Sequence, residues 1–228
     1  MTDFVIGSPP QRTKKGRMRY LDRAMVHADY ERPDTAAHLD EIDAARSREY
    51  ALLATPLSGA PDEVLLARIA QLPGDATPLG NAHAALAEAA RRADAGDVER
   101  EYFALFTGVG RGELLPYGSY YLSGFLHDRP LARLREDLAQ LGLQRAPSQA
   151  EPEDHAATLC EVMAGVISGR FGSMPGADGL LFEKHLAPWL GRFFADLERA
   201  NSADFYRAVG GLGRAFIDIE TEAFALPA

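Results

Sequence analysis

Glu151-Pro152-Glu153-Asp154-His155 sets three carboxylates and an imidazole within five residues, and Pro116-Tyr117-Gly118-Ser119-Tyr120-Tyr121 crowds three tyrosines and a serine around a proline turn. An aspartate beside a histidine suggests first a catalytic dyad or half of a metal site. Metal ligation from a helix needs side chains at i, i+3 or i+4, or Cys/His clusters, whereas adjacent Asp154 and His155 point in different directions. No serine stands in a Gly-x-Ser-x-Gly elbow. The single cysteine, Cys160, lies on the apolar face of a helical pattern, where it reads as a small buried hydrophobe. His185 sits on a separate helix beside Trp189. With neither nucleophile nor metal set, the residues argue against an enzyme, and no cofactor or metal is expected.

The tyrosines read either as core or as an amphipathic contact surface. Pro152 at a helix start would leave Glu153 and Asp154 near the positive end of the dipole as simple caps. An exposed Asp154 could instead accept from a ligand's arginine, with His155 as a pH-sensitive donor. Gly108, Gly110 and Gly112 follow a helix rather than a strand, and no Gly-Lys-Ser/Thr accompanies them, which disfavours a phosphate loop. A flexible hinge between two helical lobes is expected there.

The elements that must position these residues are helical. Ile42, Ala45, Leu52 and Leu53 share a face of a helix over about Asp40–Thr55. Arg46 and Glu49 lie on the same arc, as an i,i+3 ion pair or, for Arg46, as the wall of a polar groove. Pro61-Asp62-Glu63 opens a second helix, and an alanine-rich third runs over 81–94 towards Gly96. A fourth starts at Asp97 and carries Val98, Tyr102, Leu105 and Phe106. Pro130 starts a fifth, with Gly142 as its stop, and residues 143–150 form a polar connector. The stripe Leu159, Val162, Met163, Val166 and Ile167 follows Pro152. A helix over 180–186, one holding Trp189, Phe193, Phe194 and Leu197, and one holding Phe205, Val209, Leu212, Phe216 and Ile219 complete the chain. No segment alternates with period two. The expected fold is all-α, a single helical bundle of about eight to ten helices over residues 39–228.

The net charge of −9 conceals a split. Six of the 24 bases and two of the 33 acids fall in residues 1–23, which leaves 18 against 31, a balance of −13. Residues 1–38 read as a mostly disordered basic arm; the body should repel nucleic acid and attract basic peptides. No apolar run reaches membrane-spanning length and the N-terminus lacks a secretory h-region, so a cytoplasmic location is expected.

Glu101-Tyr102-x-x-Leu105-Phe106, Pro116-Tyr117-x-Ser119-x-Tyr121, Glu151-Pro152-Glu153-Asp154-His155 and His185-Leu186-Ala187-Pro188-Trp189, in this order, resemble the TorD/DmsD family of redox-enzyme maturation chaperones. The resemblance implies a cytosolic all-α chaperone that binds the twin-arginine leader and apo catalytic subunit of a molybdopterin oxidoreductase. Formate dehydrogenase and dimethyl sulfoxide or trimethylamine N-oxide reductase types are all open as clients. It assigns leader binding to Pro152, Asp154 and His155, to Pro116, Tyr117, Ser119 and Tyr120, and to Arg46. The double change Asp154→Ala, His155→Ala is then expected to weaken leader binding without unfolding the protein. Thr13-Lys14-Lys15-Gly16-Arg17-Met18 mimics the basic half of a leader and could occupy the groove as a pseudo-ligand. The alternatives are a nitrate-reductase-type assembly chaperone for a membrane-bound enzyme and a helical adaptor without leader specificity.

Overall fold

The structure, a computed structural model, describes residues 4–6, 40–145 and 151–226. Apart from residues 4–6, the basic arm with its pseudo-ligand lies outside the described residues, as does 146–150 of the polar connector.

Local signals start most of the helices. Asp40 accepts from the Ile42 and Asp43 N–H groups to open α1 (Glu41–Ser58), Asp62 from Leu65 to open α2 (Glu63–Ile69), and Thr77 from Gly80 to open α3 (Pro78–Arg92). Asp94 caps α4 (Ala95–Tyr102), which passes directly into a π-helical turn over Phe103–Thr107. Gly96 therefore belongs to the first turn of α4 and does not stop α3. A short helix α5 (Gly118–Ser123) occupies what reads in the sequence as a turn, and α6 (Arg129–Gln140) follows. Strand β1 (Phe4–Ile6) pairs antiparallel with β2 (Leu143–Arg145), Phe4 opposite Arg145. This small sheet lies within the segments read as basic arm and connector; three-residue strands are too short to show alternation.

Next come α7 (Ala156–Ile167), α8 (Ala177–Leu181) with a second π-helical turn over Phe182–Leu186, α9 (Leu190–Arg199) and α10 (Phe205–Ala225). All but Glu161 of α7 is buried, which makes it the central helix. α1 lies along α7, while α10 packs on α9, on α3 and against the edge of α1. The α9–α10 approach is close: a Cβ on Gly210 would stand 2.5 Å from the Glu198 nitrogen and 2.9 Å from the Phe194 oxygen, so only glycine fits. Apart from Ala87 and Leu131, the buried apolar residues form one continuous core from Tyr50 to Ile217. The all-α bundle expected from the helical periodicity is the observed fold.

Candidate functional site

Each of the four motifs is tied into the scaffold by a bond reaching far along the chain. Glu101 takes the N–H groups of Asp204 (2.7 Å), Phe205 (3.1 Å) and Tyr206 (2.7 Å), so it caps α10 from a distance. Burial raises its carboxyl's proton affinity, and those three N–H groups oppose the shift. Leu105 is buried beside it, and Tyr102 and Phe106 pack edge-on against each other and close to Tyr206. The glycine loop folds back onto the π-helical turn, with Gly108 donating to the Phe103 oxygen, Glu113 to Ala104 and Leu114 to Leu105. The Glu113 carboxylate then takes the Asn201 and Ser202 N–H groups.

Trp189 is buried and donates its indole N–H to the His185 oxygen at 2.7 Å. Its indole lies under Gly118, where a Cβ would meet Trp189 Nε1 at 3.1 Å; a side chain there would press on the indole and force the ring or the turn to shift. The His185 ring bonds Asp137 at 2.8 Å, so it ties the second π-helical turn to α6.

The Pro116 and Glu151 segments meet in a short antiparallel backbone bridge between Tyr117 and His155. Gly118 N–H donates to the Asp154 oxygen (2.9 Å) and Ala156 N–H to the Pro116 oxygen (2.8 Å). The Tyr117 and His155 rings meet edge-on at 5.1 Å. Pro116, Tyr117, Ser119, Pro152, Asp154 and His155 are thus brought together, as the motifs imply.

Their exposure differs from the expectation. Asp154 is 3% exposed and its Oδ2 accepts from Ser119 N–H at 2.7 Å, so Asp154 covers the first two N–H groups of α5 through its main-chain and side-chain oxygens. Asp154 Oδ1 and Ser119 Oγ are buried with no partner among the described residues. His155, 6% exposed, is the N-cap of α7, its Nδ1 accepting from Ala157 N–H at 3.2 Å. The helix starts at Ala156, after Pro152, Glu153 and Asp154, because the bridge to Tyr117 holds His155 in extended backbone. Glu153 pairs with Arg135 (2.8 Å) and Arg145 (3.5 Å). Only Glu151 of this run presents an exposed carboxylate, where it accepts from the Tyr117 hydroxyl at 2.7 Å. Burial and that bond to Glu151 together raise the Tyr117 phenol's affinity for its proton.

Two other expected site residues face different partners. Tyr120 accepts from Arg111, whose guanidinium lies 5.2 Å from the Tyr120 ring centroid. Arg46 is held by Glu220, Asp43 and Asp178 between α1, α8 and α10, while Glu49 bonds His83 instead of Arg46. Glu151, to which the motifs assign no role, is the exposed acid of this corner; it is the first acid of the run and lies outside the turn that buries the others.

Because Nδ1 of His155 accepts, Nε2 carries the proton and the ring is neutral. Burial lowers its pKa from the ordinary 6.5, against the charges of Glu151 and Asp154. A folded-state pKa below the unfolded one stabilises fully above about pH 6.5, and that contribution is lost as pH falls through the folded value. His185 shifts the same way, through burial opposed by Asp137, and His83 the opposite way, through its bond to Glu49. Urea denaturation should therefore give a lower midpoint at about pH 5.5 than at about pH 7.5. His155→Asn, which keeps a capping side chain, should flatten that difference. An equal pH response in the variant would show that His155 is not the group responsible.

The family described as nitrate reductase delta subunit matches residues 72–195, a span that holds all four motifs. A Vibrio cholerae protein named as the chaperone TorD is 29% identical over 130 residues, covering 53% of this chain and 59% of the relative. A Haemophilus influenzae protein named as the Tat proofreading chaperone DmsD is 27% identical over 115 residues, covering 50% of this chain and 55% of the relative. The chain thus spans less than two thirds of the length of these relatives. The crystal structure of an Archaeoglobus fulgidus protein assigned to redox enzyme maturation superimposes with a TM-score of 0.52 at 19% identity, over 77% of this chain and 93% of that one, a likeness of fold. The names of the relatives are those of chaperones. The match runs through more than half of the chain and through every turn that builds the Tyr117–His155 bridge, and the protein belongs to this family, the nitrate reductase delta subunit family in which the TorD and DmsD chaperones fall.

Proposed function

We propose that the protein is a cytoplasmic chaperone that holds the apo catalytic subunit of a molybdopterin oxidoreductase through its twin-arginine leader, assists cofactor insertion and delays export. The observation that carries this reading is the corner itself. A backbone bridge fixes Tyr117 beside His155, and Glu151 is the exposed carboxylate on its rim. An incoming guanidinium can displace the Tyr117 hydroxyl and take both Glu151 oxygens in a bidentate pair, with the Tyr117 ring as a cation–π face. The relatives' chaperone names and the acidic body support the same conclusion.

Calorimetry with a synthetic twin-arginine leader tests it. Micromolar binding, about −8 kcal/mol, is expected, falling as salt rises from about 50 to about 500 mM. Glu151→Gln should weaken it about tenfold, near 1.4 kcal/mol, and leave the denaturation midpoint in place. A leader that binds Glu151→Gln and the parent equally well, with no salt response, sinks the reading. The family description favours a second one: an assembly chaperone for a nitrate-reductase-type, membrane-bound enzyme. In that case the co-purifying catalytic subunit would be of that type and would stay bound after removal of its leader.

A further inference from the structure

We propose that the surface formed by the end of α5 and the start of α6 is a second docking site, for an acidic segment of a partner protein that also carries apolar side chains. Its chemistry is opposite to that of the Glu151 corner, and it does not depend on the leader-binding reading.

Two grooves meet at Ser123–Phe125. One, about 390 Å³, is lined by Arg111, Tyr120, Tyr121, Gly124 and Arg192 among others; the second, about 620 Å³, by Ser123, Phe125, Leu126, Arg129 and Arg133 among others. Arg111 and Arg192 lie over the faces of Tyr120 and Tyr121, 5.2 and 5.0 Å from the ring centroids. Arg111 bonds the Tyr120 hydroxyl and Arg192 the Tyr121 main-chain oxygen. Among the described residues, none of Arg111, Arg129, Arg133 and Arg192 has a carboxylate within ion-pair distance. A guanidinium stacked on a tyrosine keeps in-plane N–H donors for a carboxylate and gives up little freedom when it binds one.

Two of the three acids that line the grooves are turned to other donors. Glu113 holds the Asn201 and Ser202 N–H groups and Asp196 the Tyr121 hydroxyl, while Asp128 makes no side-chain cap to α6 and stands as one acid against the four arginines. What the surface has left to offer is cationic, on a chain whose net charge is −9. Between the arginines, Leu122, Phe125 and Leu126 are exposed, Phe125 by 71%. His127 adopts φ 59, a left-handed conformation uncommon outside glycine, in the turn that carries them. Charge selects an acidic partner, and the exposed Phe125 and leucines ask for apolar side chains spaced among its acids. Two concave grooves in succession suit an extended or helical peptide rather than a flat bilayer.

Fluorescence anisotropy of the full chain with a labelled twelve-residue peptide of alternating glutamate and leucine blocks, and with its lysine counterpart, tests the proposal. The acidic peptide should bind and the basic one should bind at least about tenfold more weakly at this face. Arg129→Glu with Arg133→Glu, Arg111→Glu with Arg192→Glu, and Phe125→Ser should each weaken the acidic peptide about tenfold, with circular dichroism and leader affinity unchanged. The proposal is overturned if neither peptide binds, if the charge reversals bind the acidic peptide like the parent, or if vesicles rich in phosphatidylserine bind while the peptide does not.

Discussion

Arg46→Ala should lower the stability of the protein by about 3–5 kcal/mol, the range for breaking a buried charge network from one side. The Arg46 Nε and Nη2 reach both oxygens of Glu220 at 2.8 and 3.0 Å, and Nη1 reaches Asp43 at 2.9 Å and Asp178 at 3.0 Å. The Phe224 ring lies 5.2 Å away on the guanidinium's face. Glu220 is 1% exposed, and its other donor is the Tyr50 hydroxyl at 3.0 Å. Removing Arg46 leaves that carboxylate in the joint of α1, α8 and α10 with one neutral donor. The alanine variant should show a lower denaturant midpoint at unchanged slope, and adding Glu220→Gln should restore part of the loss because the orphaned charge is gone. A midpoint that does not move would mean that water reaches the network. Leader affinity of the folded variant should be unaltered, since Arg46 contacts none of Tyr117, Glu151, Asp154 and His155.

Arg46 also shows where sequence reading stops. Spacing offers Glu49 as its partner, three residues on, but Glu49 bonds His83 and Arg46 reaches 174 residues to Glu220. Periodicity locates the helices because the 3.6-residue stripe and the caps are local: Asp40, Asp62, Thr77 and Asp94 each stand two or three residues from the N–H groups they satisfy. α5 escapes that reading because its cap, Asp154, is 35 residues away from Ser119. The same non-local bond explains the half-legible site. Motif order correctly joins Pro116–Ser119 to Pro152–His155, but whether a carboxylate faces solvent depends on which backbone packs over it. Asp154 and His155, the residues that look most chemical, are the ones enclosed, and Glu151 is left outside.

A substitution series at Asp154 separates those two roles. Asp154→Ala strips Ser119 N–H of its acceptor in a buried place, which should cost about 2–3 kcal/mol. Asp154→Asn keeps an oxygen for that N–H and removes a buried charge whose Oδ1 has no partner among the described residues, so its cost should stay below about 1 kcal/mol. The double change Asp154→Ala, His155→Ala should then destabilise the fold, not spare it, because it uncaps both α5 and α7. For binding the order should reverse. Asp154→Asn should hold the leader as the parent does, and Glu151→Gln, neutral for stability, should lose about tenfold. If Asp154→Asn instead loses affinity while its denaturant midpoint is retained, the Tyr117–His155 bridge must open on binding and deliver Asp154 to the ligand, and Glu151 would then be only its gatekeeper.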